Sequence, residues 1–335
     1  MRKWLQLFVI TIISILVLGA CSDDTSGNDD TEETAKDGSE SYVIGVTQLL
    51  EHPSLDNAYK GFQDAIEEAG LDVEYDYQNA QNDQNNVKSI ADNFVADDVD
   101  LIFANSTPSA LGALNATSDI PILFTSVTDA VDAGLVSSLE GHDSNISGVL
   151  DLHPDAITKT VEFIDNYFED AKVGLIYNAG EANSVTQIKA VEEAMEGTSL
   201  TSSERTVANS SEVQQAASTL AGDVDVMYIV TDNTVVSALD SVVEVSNSQG
   251  IPLIVGEPDS LEKGGFATYG IDYYTIGKRT GEMAVEVLTG ETEIEKLDVE
   301  YPPEIQLFIN KEAAEAQNVN WDKAWDEEAE FIGAE

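Results

Sequence analysis

Residues 176–187 read IYNAGEANSVTQ. An apolar run ends there in a knot of amide, hydroxyl, carboxylate and small side chains, after which Val185, Ile188, Val191 and Met195 resume at helical spacing. Ala179 and Gly180 let a backbone approach a ligand closely. Asn178, Asn183 and Ser184 offer hydrogen-bonding groups where a helix starts, and Glu181 adds a carboxylate that can receive an ammonium. Clusters of the same kind recur as TQLLEHPS (47–54), QNAQND (78–83), NSTPS (105–109), TSVTD (125–129), ANSSE (208–212), TDNT (231–234) and GEPDS (256–260). N-capping, in which a short polar side chain accepts from the first free helix N–H groups, explains any one of them. It does not explain two rows of them. Free N–H groups at helix starts attract anions, so the rows suit a small carboxylate, while Asp232, with Glu181 or Asp272, suits an ammonium. Together they fit a zwitterion.

Catalytic constellations are sparse by comparison. The three histidines are His52 in EHPS, His142 in EGHDSN and His153 in LHP. The neighbours Glu51 and His52 could serve acid-base chemistry, but adjacent residues rarely face one site. There is no Gly-rich phosphate loop, no GxSxG elbow and no metal-spaced His or Cys group in the sequence. The chain therefore reads as a binder and not an enzyme, with no catalytic residue, no metal site and no cofactor expected.

The elements that must hold these clusters alternate. Strand-length apolar runs at 43–46, 73–77, 99–104 and 120–124 are separated by helix-period segments through Leu55, Tyr59, Phe62, Ile66 and Ala69, and through Val87, Ile90, Ala91 and Phe94. Strand then helix, repeated, predicts an α/β fold with a parallel sheet covered on both faces. The second half repeats the first. VDLIFANSTPSAL at Val99 is echoed by VDVMYIVTDNTVVSAL at Val224, and IPILFTS at Ile120 by IPLIVGE at Ile251. VIGVTQ at Val43 has a weaker echo in VGLIYN at Val173, as does the helix through Val87 around Val213. Four echoes in one order predict two similar doubly wound lobes, with ligand at the carboxyl ends of the strands. The expected lobes are 42–150 plus 273–299 and 151–272 plus 300–335, joined by about three short crossings that act as a hinge around a ligand cleft.

The first forty residues read differently. Arg2 and Lys3 precede an apolar run, Trp4 to Leu18, that stops at Leu18-Gly19-Ala20-Cys21, the form of a secretory signal peptide over 1–20. LGAC also resembles the lipobox of bacterial lipoproteins, which implies lipidation of Cys21. Cys21 is the single cysteine of the chain, so no internal disulfide forms. Residues 21–41 have almost no apolar side chain to bury and read as a disordered acidic tether, with a mean reach of roughly 25 Å. The expected location is the outer face of the cytoplasmic membrane, extracellular in a Gram-positive cell and periplasmic otherwise.

Charge excludes one class of partner. The chain has 15 basic and 63 acidic residues, a net charge of −48, and a field of that sign argues against nucleic acid. So large an acidic excess has the look of a halophile surface, since high salt screens charge within about 3 Å at 1 M.

VTQLLEHPSLDNAYKGF, DYQNAQND, FTSVTDAVDAGL, IYNAGEANSVTQ, NSSEVQQAA, TDNTVVSAL and ATYGIDYYTIG together resemble the substrate-binding lipoproteins of ABC importers of the tryptophan/tyrosine type, which have the type I periplasmic-binding-protein fold. The resemblance spans about residues 42–320. It implies a monomeric receptor that closes on an amino acid, often aromatic, and delivers it to a membrane permease with a cytoplasmic ATPase. Matched by motif, it implies ligand contacts at Gln48, Glu51, Ser106, Thr107, Ser126 and Thr128 from the first lobe. From the second it implies Asn178, Glu181, Asn183, Asp232 and Asn233, with Asp272 at the third crossing. The chain departs from the family pattern at Val230, where Pro is usual before TDN. The same residues would serve a ligand sensor. A nucleoside or sugar receptor is the other reading, for which Phe124, Tyr177, Tyr269, Tyr273 and Tyr274 are the candidate stacking faces.

Overall fold

A computed structural model of the chain describes residues 41–333. The signal peptide, Cys21 and the tether as far as residue 40 lie outside the described residues. Ser41, expected in the tether, is instead the first residue of a strand, paired in parallel with Asp72.

The first sheet has the order β2-β1-β3-β4-β5, with β1 Ser41–Gln48, β2 Asp72–Asn79, β3 Leu101–Asn105, β4 Ile122–Val127 and β5 Ile146–Leu150. All its pairings are parallel. Helices α1 (Pro53–Ala69), α2 (Gln84–Ala96) and α3 (Thr107–Ala116) connect the strands. Strands β3, β4 and β5 are buried throughout because both faces are covered, whereas β2, at the sheet edge, mixes polar with apolar residues and is partly exposed. Leu101 and Phe103 point into a core with Phe62 and Ile66 of α1, whereas Ile102 and Ala104 point into the opposite core with Val87 and Phe94 of α2. A fully buried side chain of this size contributes about 1.5–3 kcal/mol.

The second sheet repeats the design. Its order is β12-β11-β10-β9-β8-β6-β7, from β6 Lys172–Tyr177, β7 Thr201–Thr206, β8 Val226–Ile229, β9 Leu253–Val255, β10 Ala267–Gly270, β11 Gln306–Asn310 and β12 Ala329–Ile332. Helices α4 (Ala156–Tyr167), α5 (Ala182–Met195), α6 (Val213–Leu220), α7 (Asn233–Val236), α8 (Leu239–Gln249) and α9 (Asp259–Glu262) follow their strands. Leu175, Val226 and Tyr228 face the core under α4 and α5, while Ile176, Met227 and Ile229 face that under α6 and α8. β11 runs antiparallel to β10, and β12 pairs with β11 in parallel. Trp325 of α12 (Trp325–Glu328) seals this edge against Phe163 and Phe266.

The chain passes between the sheets after β5, after β10 and before β11. The helix after the second pass, α10 (Tyr273–Leu288), returns to the first sheet and packs on α1. It does so at backbone contact. A Cβ on Gly277 would lie 1.9 Å from the Ala58 carbonyl oxygen, and one on Gly61 would lie 2.1 Å from that of Tyr274. At the third pass, the Leu150 N–H donates to the Glu300 carbonyl and the Glu300 N–H to that of Gly148, each at 2.9 Å. The short α11 (Lys311–Ala316) follows β11.

Candidate functional site

The tips of the two sheets meet at a narrow cleft lined by His52, Ser54, Leu55, Ser126, Thr128, Asp151, Asn183, Thr231, Asp232, Asn233, Val236 and Tyr273. It is held shut by direct bonds across it. The Ser54 hydroxyl reaches Glu257 at 2.8 Å and Asp259 at 2.7 Å, the Asn57 amide donates to Asp259 at 2.8 Å, and Gln187 approaches the Thr128 hydroxyl at 3.5 Å. Burial, with the Lys263 charge added, pushes His52 down to about 4. Its imidazole is neutral at pH 7 and its Nδ1 accepts from the Ser54 N–H, capping α1.

Beneath the first wall runs a buried polar chain. Gln48 donates to Asp56 at 2.7 Å and to the Leu50 carbonyl, Asn105 donates to Gln48, and the Ser126 hydroxyl donates to Asn105 at 2.7 Å. The chain fixes the tips of β1, β3 and β4 relative to one another. Ser106 and Ser126 hold φ of 121° and 58°, backbone strain of a kind that persists only where surrounding structure imposes it. Thr107 is buried at the start of α3, which Ser106 caps through the Ser109 N–H.

The second wall answers what the NAGEANS knot does. Glu181 accepts from the Asn233 N–H and amide through one oxygen, and from the Thr234 N–H and hydroxyl through the other. Asp232 accepts from the Val235 N–H at 2.7 Å and, with its other oxygen, from the Asn178 N–H at 2.6 Å. The Asn178 amide reaches the Thr234 hydroxyl at 2.9 Å. The knot therefore staples the β6 tip to α7. Burial and the Glu181 charge push Asp232 up to about 6.

Of the residues singled out from sequence, Ser126, Thr128, Asn183, Asp232 and Asn233 line the cleft. Gln48, Ser106, Thr107 and Ser184 are buried and do not line it, while Asn178 and Glu181 line a different groove with Gln81, Asn82 and Thr234. Glu51 is exposed. Asp272 is exposed as well; it caps α10 through the Tyr274 N–H and borders a separate groove with Pro303 and Glu304. Asp151, at the expected boundary between the lobes, is not among the residues singled out from sequence. In the structure it lines the cleft, its Oδ2 accepts from the Tyr273 hydroxyl at 2.9 Å, and its Oδ1 is buried without a partner. Burial pushes its carboxyl up to about 6, against the hydrogen bond from Tyr273 and the influence of the nearby Thr128 hydroxyl. The signal for it was a carboxylate directly after GVL, at the end of a strand. Of the candidate stacking rings only Tyr273 lines the cleft. Among the described residues, no group of three or more His, Cys, Asp or Glu is arranged to hold a metal ion.

Two parallel-sheet lobes facing each other across a polar, closable cleft define a two-lobed α/β binding protein. Comparison with known proteins gives the family. The model of the ABC transporter substrate binding protein family matches residues 43–330. A tyrosine-binding protein of Clostridioides difficile (strain R20291) is 41% identical over 320 residues, covering 94% of this chain and 92% of the relative. Among solved structures, an ABC domain from Streptococcus pneumonia in complex with L-Trp matches with TM-score 0.83 at 31% identity, covering 87% of this chain and 99% of its own. The ligand-free, open form of a substrate-binding protein with adhesive properties from Clostridium difficile matches with TM-score 0.66 at 38% identity, covering 88% and 100%. The chain belongs to the ABC transporter substrate-binding proteins. Its relatives are binding proteins and not enzymes.

Proposed function

We propose that the chain is the extracytoplasmic solute-binding lipoprotein of an ABC importer, capturing one free α-amino acid with an aromatic side chain and delivering it to the permease. The observation that carries this reading is the composition of the cleft wall. Unpartnered acceptor oxygens on Asp151 and Asn183 suit an ammonium, and Leu55 and Val236 provide an apolar surface. A sugar would need stacking faces, and of the Phe, Tyr and Trp side chains only Tyr273 lines the cleft. The aromatic preference draws support from the tyrosine-binding relative and the L-Trp complex.

In this reading, the lobes are 42–150 plus 273–299 and 151–272 plus 300–335, and they move about the three passes. Cys21 carries the lipid that keeps a monomeric receptor beside its permease. A thermal-shift screen of the twenty amino acids, nucleosides and simple sugars tests the cargo. A ligand bound only by the folded state adds about 2.7 kcal/mol of stability at a hundred times its Kd. Stabilisation by an aromatic amino acid is expected; stabilisation by a nucleoside or sugar and by no amino acid overturns the assignment.

A further inference from the structure

We propose that Asp151, together with Asn183, is the receptor for the ligand's ammonium group, and that the acidic residues singled out from the motifs hold the walls together instead. This rests on the reading of the cleft as an amino-acid site and specifies which groups make it selective for one.

The case is one of accounting for carboxylate oxygens. Glu181 has both oxygens engaged by donors of α7 and its flanks. Asp232 has both engaged by backbone N–H groups of its own lobe. Glu51 and Asp272 are exposed, and neither lines the cleft. Asp151 differs from all four. Its Oδ2 is fixed by the Tyr273 hydroxyl, which orients the carboxylate, while its Oδ1 is shielded from water and has no partner although it belongs to a cleft-lining residue. A buried acceptor without a donor is costly and rare in native proteins, so an acceptor left open at a binding cleft points to a donor that arrives with the ligand.

Asn183 supplies a second such atom. Its amide nitrogen donates to the Thr231 carbonyl at 3.0 Å, which fixes the orientation of the amide, and its Oδ1 is then the second unpartnered buried acceptor among the residues lining the cleft. An ammonium has three N–H donors. One charged and one neutral acceptor, both on residues lining the cleft, accommodate two of them. The charged acceptor sits at the first pass between the sheets and is held by the first residue of α10, just after the second pass. Binding of the ammonium therefore acts directly on the segments about which the lobes move.

The test compares an amino acid with its deaminated counterpart. The amino acid that wild type binds best, expected to be L-tyrosine or L-tryptophan, is paired with 3-(4-hydroxyphenyl)propionate or 3-(indol-3-yl)propionate, and both are titrated by calorimetry into wild type, Asp151→Asn, Asp151→Ala and Asp232→Asn. Asp151→Asn and Asp151→Ala should bind the amino acid about 10- to 100-fold more weakly, the range for losing a hydrogen bond to a charged group. Both should bind the deaminated acid as well as wild type does, or better. The proposal is overturned if either folded Asp151 variant keeps wild-type affinity for the amino acid, if both ligands weaken equally, or if Asp232→Asn alone shows the selective loss. Wild type that binds no α-amino acid at all overturns the functional reading itself, an outcome distinct from the other three.

Discussion

Asp151 and Asp232 are both buried acids at the cleft, and the donors around them give them different behaviour under mutation. With no donor on Oδ1, Asp151 has its carboxyl pushed by burial up to about 6. A raised carboxyl pKa means that the folded state holds a proton that the unfolded state releases, so this group's contribution is best below its unfolded pKa and is lost as pH rises through about 6. Asp151→Asn removes that penalty. The ligand-free variant should be more stable than wild type at pH 7, by on the order of 1–3 kcal/mol, with the difference vanishing near pH 4; melting curves across pH measure it. Asp232 is pushed up to about 6 as well, by burial and the Glu181 charge, but it also caps α7 and holds the Asn178 N–H. Asp232→Asn turns one acceptor into a donor facing those N–H groups, and the lost cap, about 1–2 kcal/mol, offsets the relieved charge burial, so Asp232→Asn should melt below Asp151→Asn at pH 7. Melting of Asp232→Asn at or above that of Asp151→Asn would show that the cap contributes nothing.

Helix α10 is the element that ties the second pass to the first sheet, and it does so through the absence of side chains. Gly277 and Gly61 let α10 and α1 touch at backbone distance, and Arg279 binds the carboxylate of Glu300, at the third pass, through Nε at 3.0 Å and Nη2 at 2.8 Å. Gly277→Val cannot be absorbed by rotamer changes, because the obstacle is the Ala58 carbonyl. The helices must separate, and overpacking of this kind costs 1–3 kcal/mol or somewhat more. We expect Gly277→Val to lower the denaturant midpoint sharply and to broaden the ligand-free transition as α10 loosens. A wild-type midpoint would show that α10 shifts freely on α1.

Closure as a whole couples to protons and to salt. The Ser54 hydroxyl has a single proton yet lies 2.8 Å from one Glu257 oxygen and 2.7 Å from one of Asp259. It can donate to only one of them, so the other bond requires a protonated carboxyl. Burial pushes both acids upward. For these two acids, closure takes up a proton and is favoured as pH falls; His52, which burial in the same cleft holds down to about 4, works the other way. Small-angle scattering of ligand-free His52→Asn, which removes the opposing imidazole, should give a smaller radius of gyration at pH 5 than at pH 8. Adding Glu257→Gln, whose amide donates at any pH, should flatten the difference; a pH-independent radius in His52→Asn would show that the latch does not govern closure. The acidic excess acts on top of this. With a net charge of −48, self-repulsion weakens the compact state when screening is poor, so the melting temperature should climb from dilute buffer to molar NaCl. A flat or falling curve would remove the argument for a salt-adapted surface.

The alternation of strand and helix, its repetition at Val173 and the polar strand tips follow from local periodicity, because side chains on a two-sided parallel sheet must be apolar at every position and helix starts must be capped. The sequence by itself therefore determined two α/β lobes and the rim from which a ligand site would be built. It could not distribute roles within that rim. Glu181, Asp232 and Asp151 are the same chemical group, and what separates them is which donors arrive from elements distant in sequence: Thr234 beside Glu181, Asn178 beside Asp232, Tyr273 beside one oxygen of Asp151. The antiparallel β11 and the final strand β12 are likewise set by an edge that only the assembled sheet presents. Whether a carboxylate binds its own wall or stays open to a ligand depends on which donors are already taken, and that was decided by tertiary contacts alone.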